Sequence, residues 1–175
     1  MNVGKSTGLR SVLDHLTKHN ISHAVDWESA FVRIDVELSA KFICVIEVNE
    51  RDNLVQITGF IPVPVPAKRR REVFELLAWI NWCLVLGNFQ MDMNDGELRF
   101  VSGAPYPKGK LADEVIHQVI GRSIASVRDF FPAFAGVIFA GKSPKEAFDA
   151  ALNRTESPDK DEAEAVASKP HVELN

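Results

Sequence analysis

The segment of residues 73–100 constrains the fold most, because an apolar helical pattern leads directly into a tight hairpin pattern. Residues 76–86 contain one polar side chain, Asn81, and Gly87 follows as a residue suited to a left-handed C-cap. At about 100° per residue, one helix face carries apolar side chains throughout: Val73, Leu77, Ile80 and Leu84. This face predicts packing against a sheet.

The opposite face of the same helix begins with Glu75 and continues with Trp79, Trp82 and Leu86. A surface helix normally keeps its second face polar, so two tryptophans there predict either another layer of the same chain or a partner subunit. We predict that Trp79, Trp82 and Leu86 form a partner or dimer interface. Asn81 needs hydrogen-bond partners within this apolar surrounding, and we expect it to bind the loop at 87–88 rather than to act in catalysis.

The hairpin pattern follows in residues 89–100, where apolar and polar side chains alternate with the period of a half-buried strand. Asp95-Gly96 fits a two-residue type I′ turn, which requires positive φ at both positions. That turn predicts a register with Met93 opposite Leu98, Met91 opposite Phe100 and Asp92 opposite Arg99.

The remaining patterns predict one α+β domain over residues 1–152 and a disordered acidic tail over 153–175. A helix is expected at 9–20, and strands at 31–38, 41–48 and 54–61. The second strand is continuously apolar, which predicts cover on both sheet faces. A long helix is expected at 111–140 with a kink at Pro132, and a capping box at Ser143 and Glu146 begins a last helix.

Composition and charge exclude several classes of protein. The 175 residues suit one domain, and a net charge of −4 gives no electrostatic reason to expect nucleic acid. The sequence has no apolar run of about 18 residues and no signal-peptide pattern at its start. Cys44 and Cys83 are expected to be small buried hydrophobes in a reducing cytoplasm. We therefore expect a cytoplasmic protein without a membrane partner.

Two motifs leave alternative functions open. Residues 136–143 match the Walker A pattern GxxxxGK[ST], although a glycine cap followed by a capping box explains the same letters. The basic run 68–71 could bind nucleic acid, although an acidic chain more often presents such a run to solvent or to a partner.

The sequence contains no recognisable catalytic or metal-binding motif. No GxSxG motif is present, and neither cysteine has a neighbouring histidine. His15 and His19 are one helical turn apart, but no third ligand lies at an indicative spacing. We therefore expect no catalytic residues, no cofactor and no metal site.

Several segments together resemble the YbjN family of bacterial proteins. The matching pieces are IN at 80–81, GNFQMD at 87–92, DGELRF at 95–100, FFPAF at 130–134 and GKSPKEA at 141–147. The resemblance implies a type III secretion chaperone-like α+β sandwich, with an antiparallel sheet of about five strands flanked by helices. It also implies a regulatory or chaperone-like role through protein binding, without established enzymatic activity, in a protein that is often a homodimer. It does not identify the protein or peptide partner.

Overall fold

The computed structural model describes residues 6–37, 41–108 and 110–156, with the side chains of 155 and 156 excepted. In chain order the elements are α1 (Thr7–Lys18), β1 (His23–Asp26), β2 (Phe31–Glu37), β3 (Lys41–Asn49), β4 (Leu54–Phe60), a short 3₁₀ helix (Ala67–Arg69), α2 (Arg70–Cys83), β5 (Asn88–Met91), β6 (Leu98–Pro105), α3 (Asp113–Ile138) and α4 (Pro144–Glu156). The α+β class is as expected.

The strands form one antiparallel sheet of six strands in the order β1-β2-β3-β4-β6-β5. About five were expected, and the short edge strand β1 is the additional one. The sheet is a meander from β1 to β4, and the hairpin β5–β6 extends it beyond β4. Helix α2 therefore lies between the two parts of the sheet in sequence.

The helices cover one face of this sheet. Alternating residues of the inner strands point to that face and are buried, as in the row Ile34, Cys44, Gly59 and Phe100. Helix α1 packs on β3, α3 on β4 and β6, and α2 on β5, while α4 packs on α3 and α2. This arrangement positions α1 and α2 on opposite sides of α3.

The expected cover on both faces of β3 is not found among the described residues. Phe42, Cys44 and Ile46 are buried against the helices, whereas Ile43 and Val45 on the opposite face remain partly exposed. Within the described part of the chain, continuous apolarity in this strand therefore marks an open apolar sheet face. This surface is a candidate for binding.

Helix α2 ends at Cys83, before the predicted end at residue 86, so the prediction of Gly87 as its C-cap was wrong. Gly87 does have positive φ (80°), but a Cβ there would lie 2.5 Å from Cζ of Phe100. The glycine permits close passage over the sheet. Asn81 donates from Nδ2 to the Phe89 carbonyl (3.0 Å) and accepts from the Phe89 amide (2.8 Å). The predicted structural role of Asn81 is thus observed, one residue beyond the expected loop.

The β5–β6 hairpin is present, but its predicted register was wrong by two residues. Met91 lies opposite Leu98, and Phe89 lies opposite Phe100. The two-residue turn is replaced by a longer loop, closed by a bond from the Asp92 amide to the Glu97 carbonyl (2.9 Å). The Asp92 carboxylate accepts from the Asn94 amide (2.7 Å), so it turns into the loop. A shift of two residues preserves the faces of both strands.

The two cysteines differ in their surroundings. Cys44 is buried, and burial raises the pKa of its thiol to about 12. Cys83 is exposed, contrary to the expectation of a buried hydrophobe, because it ends α2 beside Trp82 on the outward face. Neither is in a disulfide.

The last two helices lie where they were predicted, although α4 is longer than expected. Helix α3 continues through Pro132, and Ser143 begins α4 with the predicted capping box: its hydroxyl donates to Oε2 of Glu146 (2.8 Å). Helix α4 extends to Glu156, so four residues of the expected tail are helical, and 157–175 lie outside the described residues. Among the described helices, none combines the length and apolarity needed to cross a bilayer.

Candidate protein-interaction surfaces

An apolar stripe runs along the outward face of α2 and into the loop after it. Phe74, Ala78 and Trp82 are four residues apart, so they lie above one another on the helix, and all three are exposed. Trp82 is 87% exposed and Val85 89%. Large apolar side chains at such exposure occur singly on many proteins, but a contiguous apolar stripe indicates an interaction surface. We call these residues, with Leu86, the α2 stripe.

Trp79 lies at the border of the α2 stripe rather than in it. Its ring stacks on Phe148 of α4 with 5.9 Å between centroids, and Nζ of Lys145 lies 5.5 Å from the Trp79 centroid. The side chain is still 40% exposed. The three predicted interface residues therefore divide, because Trp82 and Leu86 are open to solvent while Trp79 is partly occupied within the chain.

Sequence reasoning did not identify Phe74 or Val85 as members of this surface. Phe74 is two helical turns before Trp82, and that spacing could have revealed it. Val85 is outside the helix, where helical periodicity gives no information, so only the structure could add it.

The open face of the sheet forms a second candidate surface, with a shallow depression of about 560 Å³. Its floor includes Thr58, which is buried, and apolar side chains from four strands: Phe31, Val45, Phe60 and Val101. Glu47, Gln56, Gln90 and Arg99 also line it. An apolar floor with polar groups placed around it is the usual composition of a binding site. We call this depression the sheet-face depression.

A hydrogen bond joins two side chains on one side of the sheet-face depression. Nε of Arg99 donates to Oε1 of Gln90 (3.1 Å), across the β5–β6 pair. Glu47, on β3, contributes a carboxylate to the same lining. The depression therefore carries charges of both signs, and neither sign dominates its field.

The Walker-like segment does not have the geometry of a phosphate-binding loop. Residues 136–138 are the last turn of α3, and Gly141 takes positive φ (67°) in the turn between two helices. The amide of Ser143 donates to Oε2 of Glu146 (3.0 Å), which places a carboxylate where a phosphate would have to bind. This arrangement gives the nucleotide-binding alternative no support.

The basic run at 68–71 is partly used for internal contacts. Arg69 pairs with Glu72 (2.6 Å), and Arg70 donates to the carbonyls of Val65, Met93 and Asn94. Lys68 and Arg71 are exposed. Arginine at the start of α2 thus anchors the β5–β6 loop, which explains cations at a helix end where the dipole disfavours them.

A third cluster joins α1 to α3. His15 and His19 of α1 lie beside His117 of α3, with ring centroids 5.9 Å and 5.8 Å from that of His117. Oδ1 of Asp113 accepts from Nδ1 of buried His15 (2.6 Å), and Oδ2 of Asp113 accepts from Nζ of Lys18 (2.8 Å). The bond from Lys18, followed by that from His15, lowers the pKa of Asp113 to about 2. Sequence reasoning missed His117, because 98 residues separate it from His19.

Comparison with known proteins agrees with the fold. The model of the YbjN family, described as "Putative bacterial sensory transduction regulator", matches residues 9–136. A crystal structure of YbjN, described as "a putative transcription regulator from E. coli", is similar with a TM-score of 0.57 at 15% identity, over 69% of this chain and 85% of that chain. A chain of the ExsC–ExsE complex has a TM-score of 0.47 at 12% identity, over 67% of this chain and 85% of that one. No curated protein matches the sequence.

Proposed function

The chain belongs to the YbjN family, and from that premise we propose a regulatory or chaperone-like domain that binds another protein and catalyses no reaction. The observation that carries this proposal is the α2 stripe, in which Trp82 and Val85 are almost fully exposed. The family description as a regulator supports the same role. An exposed Cys83 thiol suits a reducing compartment, so the proposed location is the bacterial cytoplasm.

We assign the α2 stripe to a homodimer, because its residue pattern is self-complementary. Phe74 and Trp82 are each four residues from Ala78, so the stripe reads aromatic, small, aromatic in both directions. A two-fold axis at Ala78, with the two α2 helices antiparallel, brings Phe74 of one protomer against Trp82 of its partner twice. The small Ala78 permits close approach of the helices at the crossing.

The area that a stable dimer buries indicates that residues beside the α2 stripe must also be covered. Stable interfaces bury about 800 Å² on each partner, which is more than one short helix stripe supplies. The exposed edge of Trp79 borders the α2 stripe and would be covered with it. The predicted residues Trp79, Trp82 and Leu86 thus all belong to the proposed interface, with Trp82 beside the two-fold axis at Ala78 and the other two nearer the rim.

The test is the mass of the full chain by light scattering across a concentration series from micromolar to submillimolar. We expect a dimer for the wild type and for Trp27→Ser, and a monomer for Trp82→Ser. Trp27 is the matched control because it is 57% exposed and lies in the β1–β2 turn, at the sheet edge opposite α2. A wild-type monomer at every concentration, or a Trp82→Ser dimer as stable as the wild type, would contradict the assignment.

The partner is proposed to bind in the sheet-face depression, which the dimer leaves open. A depression of about 560 Å³ accommodates a few side chains rather than a folded domain. Its apolar floor and its charges of both signs suit an extended peptide segment with apolar anchors. The proposed ligand is therefore a short, partly apolar segment of another protein.

A displayed random-peptide library on the immobilised full chain provides the probe for this surface. We expect enrichment of peptides with large apolar residues, and loss of their binding by Val45→Lys, whose side chain would fill the depression. Arg33→Ala serves as the control, because Arg33 lies opposite Val45 in the register but outside the lining. Absence of enrichment, or peptides that bind Val45→Lys as well as wild type, would count against this surface.

A further inference from the structure

The histidine cluster between α1 and α3 has the composition of a metal site. One ring nitrogen from each of His15, His19 and His117 lies within 4.8 Å of the others. We propose that these three imidazoles bind a divalent transition metal of the zinc class, with Asp113 as the residue that orients His15. The family description mentions no metal. The proposal also replaces the expectation, drawn from the sequence, that the protein has no metal site.

The backbone explains how four groups converge. His15 and His19 are one turn apart on α1, and Asp113 and His117 are one turn apart on α3, so each pair shares a helix face. The two helices pack against each other and bring the pairs together. The third ligand that the sequence lacked at an indicative spacing is thus supplied by tertiary packing.

Asp113 prepares His15 for metal binding. The carboxylate accepts from Nδ1 of His15 (2.6 Å), so the neutral ring carries its proton on Nδ1 and presents an unprotonated Nε2. Carboxylate–histidine–metal arrangements of this kind orient the ligand ring and raise its basicity. His15 is 2% exposed, which holds the ring in one orientation before any metal arrives.

The distances are compatible with a metal after small side-chain rotations. Zn–N bonds of about 2.0–2.1 Å in tetrahedral geometry place ligand nitrogens roughly 3.3 Å apart, compared with the observed upper limit of 4.8 Å. His19 and His117 are exposed and can rotate inward around the fixed His15. Nζ of Lys18 also binds Asp113, but its side chain is 65% exposed and can move away from an incoming cation.

Ligand type selects the class of ion. Three imidazoles suit zinc and its neighbours in the first transition row, whereas calcium and magnesium require oxygen ligands. Three protein ligands leave a fourth position for water or for a side chain of another molecule. The ion would join the first helix to the long helix α3 and hold α1 against the helix layer.

The test is a zinc titration of the untagged full chain against a chromophoric chelator, with cobalt absorption as a second readout. We expect one zinc per chain, visible cobalt bands of a tetrahedral nitrogen site, and affinity at least about ten-fold weaker in His19→Gln and in His117→Gln. Both substitutions are at exposed positions, so the fold should persist, and circular dichroism checks this. His23→Gln is the control, because His23 lies on β1 and binds the Ile21 carbonyl.

Two variants test whether Asp113 orients His15 for metal binding or only stabilises the packing of α1 on α3. Asp113→Asn should weaken zinc binding by about 10–100-fold, as loss of such a partner typically does. Lys18→Gln removes the second hydrogen-bond donor to Asp113 and should leave zinc affinity unchanged or increase it. The proposal is overturned if the wild type binds no zinc, or if His19→Gln and His117→Gln bind it as tightly as His23→Gln.

Discussion

Replacement of Asn81 by alanine tests the contact that joins α2 to strand β5. The Asn81 side chain bonds both the amide and the carbonyl of Phe89, at 2.8 Å and 3.0 Å. Phe89 is buried among Phe100, Phe130 and Phe134, so these two bonds fix the edge strand where it enters the aromatic core. Loss of the amide leaves both backbone groups to find water at a partly buried position.

The expected loss follows from two hydrogen bonds and one compensating gain. Each bond contributes about 0.5–1.5 kcal/mol net, which gives roughly 1–3 kcal/mol for the pair. Alanine is a better helix former than asparagine by about 0.5 kcal/mol, and this gain offsets part of the loss. The free energy of unfolding should therefore fall by about 1.5 kcal/mol, which corresponds to about 3–6 °C in Tm for a chain of this size.

Urea unfolding followed by circular dichroism measures this free energy, at one protein concentration for all variants. Asn88→Ala is the matched control: Asn88 begins the same strand, is exposed, and accepts only from Nε2 of Gln90 among the hydrogen bonds described for its side chain. Its effect should stay within about 0.5 kcal/mol. If Asn81→Ala were no less stable than Asn88→Ala, the paired bonds to Phe89 would not be a stabilising contact and the reasoning would fail.

Two further predictions concern backbone constraints and acid stability. Gly96→Ala should destabilise the protein by more than about 1–2 kcal/mol, because φ is +84° and a Cβ would lie 2.1 Å from the Val65 carbonyl oxygen. Gly121→Ala, in open space on α3, should instead stabilise by about 0.5–1 kcal/mol, and thermal unfolding compares the two. Glu50 accepts from the Gly8 amide and the Ser6 hydroxyl, and these bonds lower its pKa. The ionised Glu50 carboxylate therefore stabilises the folded state above its unfolded-state pKa, and this stabilisation is lost as the pH falls through the folded-state pKa. Glu50→Gln should lower stability at neutral pH and flatten its decline between pH 5 and 3 in denaturant titrations; an unchanged acid decline would contradict this.

Local sequence patterns were sufficient to predict most of the helices and strands. Period-two alternation located β2 and the β5–β6 hairpin, a continuous apolar run located β3, and the capping box at Ser143 located α4. Membership of the YbjN family, expected from short segments such as 87–92 and 95–100, is confirmed by the match over residues 9–136. These features depend on neighbouring residues, so a single sequence contains them.

The errors arose where contacts outside the hydrophobic pattern decide the outcome. The β5–β6 register depends on the Asp92 carboxylate turning into the loop and on Arg70, from α2, binding the loop carbonyls. Helix α2 ends at Cys83, before Gly87 passes so close to Phe100 that a Cβ would not fit. The cluster with His117 depends on the packing of α1 against α3. None of these contacts leaves a periodic trace in the sequence.

A sheet covered by helices on one face also determines how independent the proposed sites are. Helix α1 packs on β3 and α2 on β5, which are three strand spacings apart, or about 14 Å at 4.8 Å per spacing. Helix α3 lies between them. A metal bound by the histidine cluster can therefore stabilise the fold by linkage without contact with the α2 stripe.

The independence of these sites makes the proposals separable. Trp82→Ser should abolish the dimer and leave zinc affinity intact, whereas His117→Gln should do the reverse. The sheet-face depression lies on the opposite side of the sheet from both, so Val45→Lys should affect neither assembly nor zinc. If zinc instead changed the dimer dissociation constant, the coupling would have to pass through elements between the two sites, either α3, which packs against both α1 and α2, or the sheet beneath them.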